Sequence, residues 1–253
     1  MTRRIITREN VMRTELELET IRSNLIRQEE TIIFSLIERS QFGRNEIIYR
    51  QGGIIIPGSE YSFMMHLLHE TEKIHARVRR YTAPDEHPFT DGIPAPYLPA
   101  RDDEWPIRKT DININSTILD TYISRIIPLI CEKDDDGNYG SSAVNDIGAL
   151  QALSKRIHYG KYVAESKYQK DPSGYEPLIK NNDKDGIMER LTDSAVERRL
   201  LDRVKLKAST YGQEPDAVNP TYKIRPEVIQ EIYSDIIIPL TKEVEYLYLL
   251  ERI

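Results

Sequence analysis

The segment Ser154-Lys-Arg-Ile-His-Tyr-Gly-Lys-Tyr-Val-Ala-Glu-Ser-Lys-Tyr168 carries two cations, Arg156 and Lys167, eleven residues apart. On one helix, eleven steps of about 100° return the second side chain to within roughly 20° of the first, about 16 Å along the axis. Only Gly160 and Val163 lie between them on that stripe. The positions three and four residues from Arg156 (Ala152, Leu153, Tyr159, Gly160) include no acid. Two long cations framing a small-residue gap suit a compact polyanion better than a solvated surface.

Other polar residues sit on helical patterns and keep two readings each. Arg22 either faces a ligand or pairs at the surface with Glu19, three residues back. Glu197 either serves a site or closes the capping box Ser194-Ala-Val-Glu197. Thr241 and Glu245 share a face at i,i+4, and Glu245 has Lys242 as an alternative partner. There is no glycine-rich phosphate loop, zinc-ligand spacing or nucleophile elbow, and His66, His69, His75, His87 and His158 form no ligand set with carboxylates. Cations and acids without nucleophile or metal point to binding and electrostatic shaping of a small anion.

The elements that must position these groups are helical. The chain has 253 residues, 39% hydrophobic, enough for a core, and a formal charge of −6, which argues against nucleic acid as a partner. Charged residues make up 30%, and no run reaches the length of a membrane span. The single cysteine, Cys131, excludes a disulfide framework and suits a reducing compartment. Arg3, Arg4, Arg8 and Arg13 against Glu9 read as a flexible basic lead-in over 1–13, with a transit peptide as the alternative.

Ile21, Leu25, Ile32 and Leu36 predict a long helix from about Thr14 to Ser40. A link from Gly52 to Gly58 follows, with Ser59 as the expected cap of a helix carrying Phe63, Leu67, Ile74 and Val78 and ending at Arg79-Arg80. Six prolines in 81–106 predict an extended excursion. Helices are expected at Thr117–Cys131, 144–169, 194–209 and from Glu227 onward, with a Pro/Gly break at 172–177, a loop at 211–226 and a kink at Pro239. The class is all-α. Tyr122-Ile-Ser-Arg-Ile-Ile-Pro-Leu-Ile130 echoes Tyr233-Ser-Asp-Ile-Ile-Ile-Pro-Leu-Thr241, by chance or by duplication.

The segments Ile21-Arg-Ser-Asn-Leu25, Arg77-Val-Arg-Arg-Tyr-Thr-Ala-Pro-Asp-Glu86, Leu150-Gln-Ala-Leu-Ser-Lys-Arg-Ile-His-Tyr-Gly-Lys-Tyr-Val-Ala-Glu165, Asp193-Ser-Ala-Val-Glu197 and Ile238-Pro-Leu-Thr-Lys-Glu-Val-Glu245 resemble the eukaryotic allosteric chorismate mutases. The resemblance runs from about residue 15 to 252. It implies a single helical domain over 1–253, a cytoplasmic homodimer, and cofactor-free rearrangement of chorismate to prephenate. By matching position it implies that Arg22 and Arg156 grip the substrate carboxylates, that Lys167 and a protonated Glu245 donate to the ether oxygen, and that Glu197 accepts the ring hydroxyl. Asp193, Thr241 and Lys242 would complete the wall. It also implies an effector site, inhibited by tyrosine and activated by tryptophan. Arg79 and Arg80 would face Asn138, Gly140 and Ser141 of the partner subunit. A helix-terminal cation pair is the other reading of the two arginines.

Three positions depart from the family pattern. Val144 replaces a threonine facing the effector, Arg225 replaces a regulatory threonine, and Asp193 replaces an active-site asparagine. An acid at 193 is expected to cost affinity for a dianion unless it is protonated or turned toward Arg22 or Lys242. A catalytically silent scaffold and a different enzyme acting on another small dicarboxylate are the competing readings.

Overall fold

The computed structural model describes residues 16–99, 105–211, 213 and 221–253. The basic lead-in, the expected start at Thr14, and parts of the 81–106 and 211–226 stretches fall outside these residues. The described chain is helical. Its β pairing is the isolated bridge between Gln213 and Tyr222. No described helix is long and apolar enough to cross a membrane.

Helix α1 spans Leu18–Arg39 and buries Ile21, Ile32, Ile33, Leu36 and Ile37. Its buried face also carries two charges, Glu29 and Arg39, each met by an opposite charge from another helix. A short 3-10 turn, Glu46–Tyr49, follows. Helix α2, Phe63–Arg77, is capped by Ser62, whose hydroxyl accepts from the Met65 amide at 3.3 Å. Ser59, the expected cap, lies one turn too early and meets the Tyr61 amide and His66 Nδ1 instead.

The proline-rich excursion opens with a 3-10 turn at Arg80–Thr82 and is otherwise irregular over its described residues. Buried polar groups hold it down. The Glu72 carboxylate accepts from the amides of Phe89 and Thr90 and from the Thr90 hydroxyl. The buried ammonium of Lys161 donates to the carbonyls of Pro84 and Ile112.

The next helix, α3, comes in three pieces: Asn115–Thr121, a π segment Tyr122–Ile126, and Ile127–Ile130. Helices α4 (Tyr139–His158) and α5 (Gly160–Lys170) replace the single helix expected over 144–169. The joint is Tyr159, and α4 starts at Tyr139, ahead of the expected 144. Where a Pro/Gly break was expected, Pro172 opens helix α6 (Pro172–Lys180) at a position where a missing amide costs nothing. Asp171 caps it through the Gly174 amide. Helix α7 (Lys184–Leu191) is capped likewise by Asp183 and had no clear apolar period. Helix α8 spans Ser194–Tyr211. The last element, α9, repeats the three-piece form: Pro226–Ile232, π segment Tyr233–Ile237, then Ile238–Leu250.

The echo between residues 122–130 and 233–241 is therefore structural. Each proline lacks an amide and would clash with the carbonyl four residues back. A one-turn π widening just before Pro128 and Pro239 absorbs both defects. Helix α1 packs along α4, and the end of α9 packs against α4 and α5. The site lies where these meet the α7–α8 elbow.

Candidate active site

One cavity of about 190 Å³ is lined by residues of six helices, α7 contributing Leu191. Arg22 comes from α1, Arg156 from the last turn of α4, and Lys167 from α5. Asp193 and Glu197 come from the start of α8, and Thr241, Lys242 and Glu245 from α9. All eight residues singled out as catalytic or substrate-binding thus line one space. Leu18, Ile21, Leu25, Val163, Val196 and Ile238 supply apolar walls, which raise the strength of every charge interaction inside.

Arg156 is 3% exposed. Its Nη1 donates to Thr241 Oγ1 at 3.2 Å, and the Thr241 hydroxyl donates on to the Ile237 carbonyl at 2.6 Å. Among the described residues its Nε has no hydrogen-bond partner, and no carboxylate lies within ion-pair distance. Burial pulls its pKa down, while the fields of Tyr233, Glu29 and Glu245 pull it back. A guanidinium keeps its proton under such shifts, so this is a buried, half-satisfied cation.

Lys167 donates to the Leu191 carbonyl at 2.6 Å and to Glu245 Oε2 at 3.1 Å. Glu245 therefore pairs with Lys167, not with Lys242. Burial pushes the Glu245 carboxyl pKa upward, against the pull of Lys167, Arg156 and Lys242. Lys242 instead pairs with Glu197 Oε1 at 2.7 Å and reaches Thr192 Oγ1 at 2.9 Å. Arg22 is exposed at the cavity mouth. Among the described residues it makes no ion pair with Glu19 or any other acid.

Two local expectations are corrected. The cap of α8 is Asp193, not Ser194: Asp193 Oδ1 accepts from the amides of Ala195 (3.1 Å) and Val196 (3.0 Å). Glu197 sits one position beyond the capping-box place, and its carboxylate faces Lys242. Asp193 is thus neither protonated nor turned onto a cation. The Val196 and Ala195 amides, helped by Arg199 and Arg22, hold its pKa below the usual carboxylate range. The second correction is Gly160. It does not floor the cavity; it is buried against α9, beside the Thr241 carbonyl. Val163 alone of the small-residue gap lines the space. The Leu191 carbonyl and the Tyr233 hydroxyl had no sequence signal, because one is backbone and the other reads as core.

The expected effector residues lie elsewhere and do not converge within one chain. Arg79 has a left-handed backbone (φ 68°) and donates to the Pro99 carbonyl at 2.6 Å. Arg80 pairs with Glu86 and donates to Gln151 Oε1 at 3.0 Å. The helix-end reading of the pair is displaced by one turn, since α2 stops at Arg77. Asn138 flanks the start of α4, Gly140 and Ser141 form its first turn, and Val144 is 64% exposed. From Asn138 to Gln151 the helix runs about 20 Å.

Comparison with known proteins adds to this geometry. The family described as chorismate mutase type II matches residues 139–246. A chorismate mutase of Schizosaccharomyces pombe is 46% identical over 249 residues, 96% of this chain and 99% of that protein. One from Petunia hybrida, named as chloroplastic, is also 46% identical, covering 93% of this chain and 76% of its own length. The crystal structure of a Candida albicans chorismate mutase in complex with L-Trp superposes with a TM-score of 0.90 at 43% identity, over 95% of this chain and 93% of that one. A structure of AtCM1 with tyrosine bound in its allosteric site gives 0.87 at 46% identity, over 94% and 97%. Identity at this level over nearly the full length, on one shared backbone, makes the chain a member of the chorismate mutase family.

Proposed function

We propose that the cavity between α1, α4, α5, α8 and α9 converts chorismate to prephenate with the roles that follow. The observation that carries this assignment is the buried, half-satisfied Arg156 facing the Lys167–Glu245 pair across one small cavity. Arg156, deep in the cavity, takes one carboxylate of the dianion, and Arg22, at the mouth, takes the other. A guanidinium fork matches a carboxylate bidentately. Gripping both ends holds the flexible substrate in the reactive chair, an orientation effect.

As the C–O bond breaks and the C–C bond forms, negative charge builds on the ether oxygen. Lys167 donates to that oxygen. Glu245 donates too, which requires the protonated acid that its burial favours. Glu197 accepts from the ring hydroxyl, and Thr241 and Lys242 steady Arg156 and Glu197. No step needs a covalent intermediate or a cofactor.

The test is loss of chorismate absorbance without added cofactor. Turnover that is abolished by Arg156→Ala supports the assignment. A folded protein without turnover would instead support the silent-scaffold reading.

Residues 1–253 form one domain in this reading, and the active form is a cytoplasmic homodimer. Arg79 and Arg80 bind an aromatic amino acid together with Asn138, Gly140 and Ser141 of the partner subunit. The distance along α4 between the two groups supports a site shared by two copies. Tyrosine lowers the rate and tryptophan raises it, each more weakly than the family pattern implies, because Val144 offers no hydroxyl and Arg225 replaces a threonine. Rates measured with each amino acid, and mass by light scattering, check both points.

A further inference from the structure

Gly160 is the one residue of the Arg156–Lys167 segment whose side chain had to be absent for a reason other than substrate space. It is the first residue of α5 and is buried against α9. A Cβ added there would stand 2.8 Å from the Thr241 carbonyl oxygen, 3.2 Å from Thr241 Cγ2 and 3.3 Å from Glu245 Cγ. The first of these is backbone and cannot rotate aside. A methyl group would therefore displace the α9 helix itself or the start of α5. Helix against helix at this range is possible only where one side has no side chain.

The two residues Gly160 touches are those that hold the chemistry on α9. Thr241 Oγ1 is the side-chain partner of Arg156, at 3.2 Å, and Glu245 is the partner of Lys167, at 3.1 Å. Gly160 also lies four residues after Arg156 and seven before Lys167, so it joins both cations to both partners. Of the other described helical glycines, Gly140 and Gly148 have open space where a Cβ would go, and Gly174 and Gly186 meet side chains only; the close backbone approaches of Gly43 and Gly53 involve Asp134 and Ile47, which do not line the cavity.

We infer that Gly160 is a positioning residue. It sets the α5–α9 separation that brings Thr241 to Arg156 and Glu245 to Lys167. It touches no substrate and takes no part in any bond made or broken. This inference rests on the assignment of Arg156, Lys167 and Glu245 to the reaction.

Gly160→Ala is measured for folding by circular dichroism, for kcat and KM, and in a double-mutant cycle with Glu245→Ala. The expected result is a folded protein whose kcat falls at least tenfold with KM changed less than threefold. In the Glu245→Ala background the same substitution should lose most of its effect, since the group it misplaces is already absent. A loss of equal size in both backgrounds would overturn the inference, as would wild-type kinetics for Gly160→Ala. If Gly160→Ala alone does not fold, the cycle is run on Gly160→Ala/Thr241→Ser, which keeps the hydroxyl and removes Cγ2, with Thr241→Ser as reference. Failure of the underlying assignment is recognised separately, because Glu245→Gln by itself would then leave the rate and its pH dependence unchanged.

Discussion

The pattern Tyr-x-x-x-Ile-Ile-Pro-Leu occurs twice, at 122–129 and 233–240, and both copies fold into the same π-widened helix with a fully buried tyrosine. What surrounds the two tyrosines differs. The Tyr122 hydroxyl donates to Asp146 Oδ1 at 2.8 Å, and Tyr49 donates to Oδ2 at 2.8 Å. Arg39 Nε meets the same carboxylate at 2.6 Å and spends its remaining donors on the carbonyls of Phe42, Gly43 and Arg44, on Cys131 and on Tyr49. Every charge in that network is answered from within the chain. At the other copy, the Tyr233 hydroxyl and the neighbouring Arg156 Nε are buried and unpaired among the described residues. One backbone device therefore supports a closed network at one end of the bundle and an open one at the other. Closed networks hold a fold, whereas buried polar atoms left open mark where a ligand completes the set.

The largest effects test this contrast directly. Arg156→Ala should lower kcat/KM by at least ~10³-fold, with a melting temperature close to wild type, because it removes a buried charge the fold itself leaves half-satisfied. Asp146→Ala should do the reverse. It leaves Arg39 buried without its counter-charge, at a cost of about 3–5 kcal/mol of stability. In the surviving folded fraction the catalytic rate constant should be unchanged. Urea titration and steady-state kinetics on both variants check this, and a melting temperature that falls equally in the two would collapse the distinction.

The closed and open ends also differ in how far sequence alone reached them. The pocket was legible because its cations and acids fall at helical spacings: Arg156 with Lys167, and Thr241 with Glu245. Their convergence across helices was carried by resemblance to the family, not by spacing. The helical class followed from apolar periods such as Ile21, Leu25, Ile32 and Leu36. The joint at Tyr159 was not readable, since no glycine or proline precedes it and the apolar stripe continues through it. Helix α6 was missed because Pro172 and Pro177 signalled a break, although a proline at the first helical position favours a start, and α7 because its eight residues show no clear apolar period. The Arg39–Asp146 network was invisible because buried and exposed charges look alike in a sequence. Asp193 was misjudged because its backbone-capping role depends on α8 starting at Ser194, one residue before the start that a Ser194 cap implies.

Glu245 offers the next effect in size. Burial raises its pKa, so the protonated, donating form persists to higher pH than in an exposed carboxyl. Activity should fall as pH rises through its titration, by about tenfold per pH unit on the alkaline limb. Glu245→Gln donates without ionising and should flatten that limb. The stability sign is the same: a carboxyl with a raised folded pKa contributes fully below the ordinary carboxyl range and loses that contribution as pH rises through its folded pKa. Melting temperature followed from pH 4 upward should therefore decline less steeply in Glu245→Gln, while a flat wild-type rate profile would remove Glu245 from the role of donor.

The paired tyrosines give a finer measure of the same contrast. Tyr122→Phe strips a donor from a buried carboxylate and should cost about 1–3 kcal/mol. Tyr233→Phe removes a hydroxyl that has no partner among the described residues, so its stability should lie within about 0.5 kcal/mol of wild type. Equal losses in the two variants would mean that the 233 end is as closed as the 122 end.

The smallest effect concerns the mouth of the open end. Asp193 is ionised, held so by two amides at the start of α8, and it stands near Arg22. Asn at this position keeps an oxygen for the Ala195 and Val196 amides and caps helices as well as Asp does. Asp193→Asn should thus leave stability unaltered while removing one negative charge from the entrance for a dianion. KM should fall about two- to fivefold with kcat unchanged, and the gain should shrink as salt is raised, as screening requires. A KM that rises instead would make Asp193 a direct contact of the substrate. The acid would then belong to the open side of the comparison, where the ligand completes the set, and the mouth would meet the substrate with an acid as well as with Arg22.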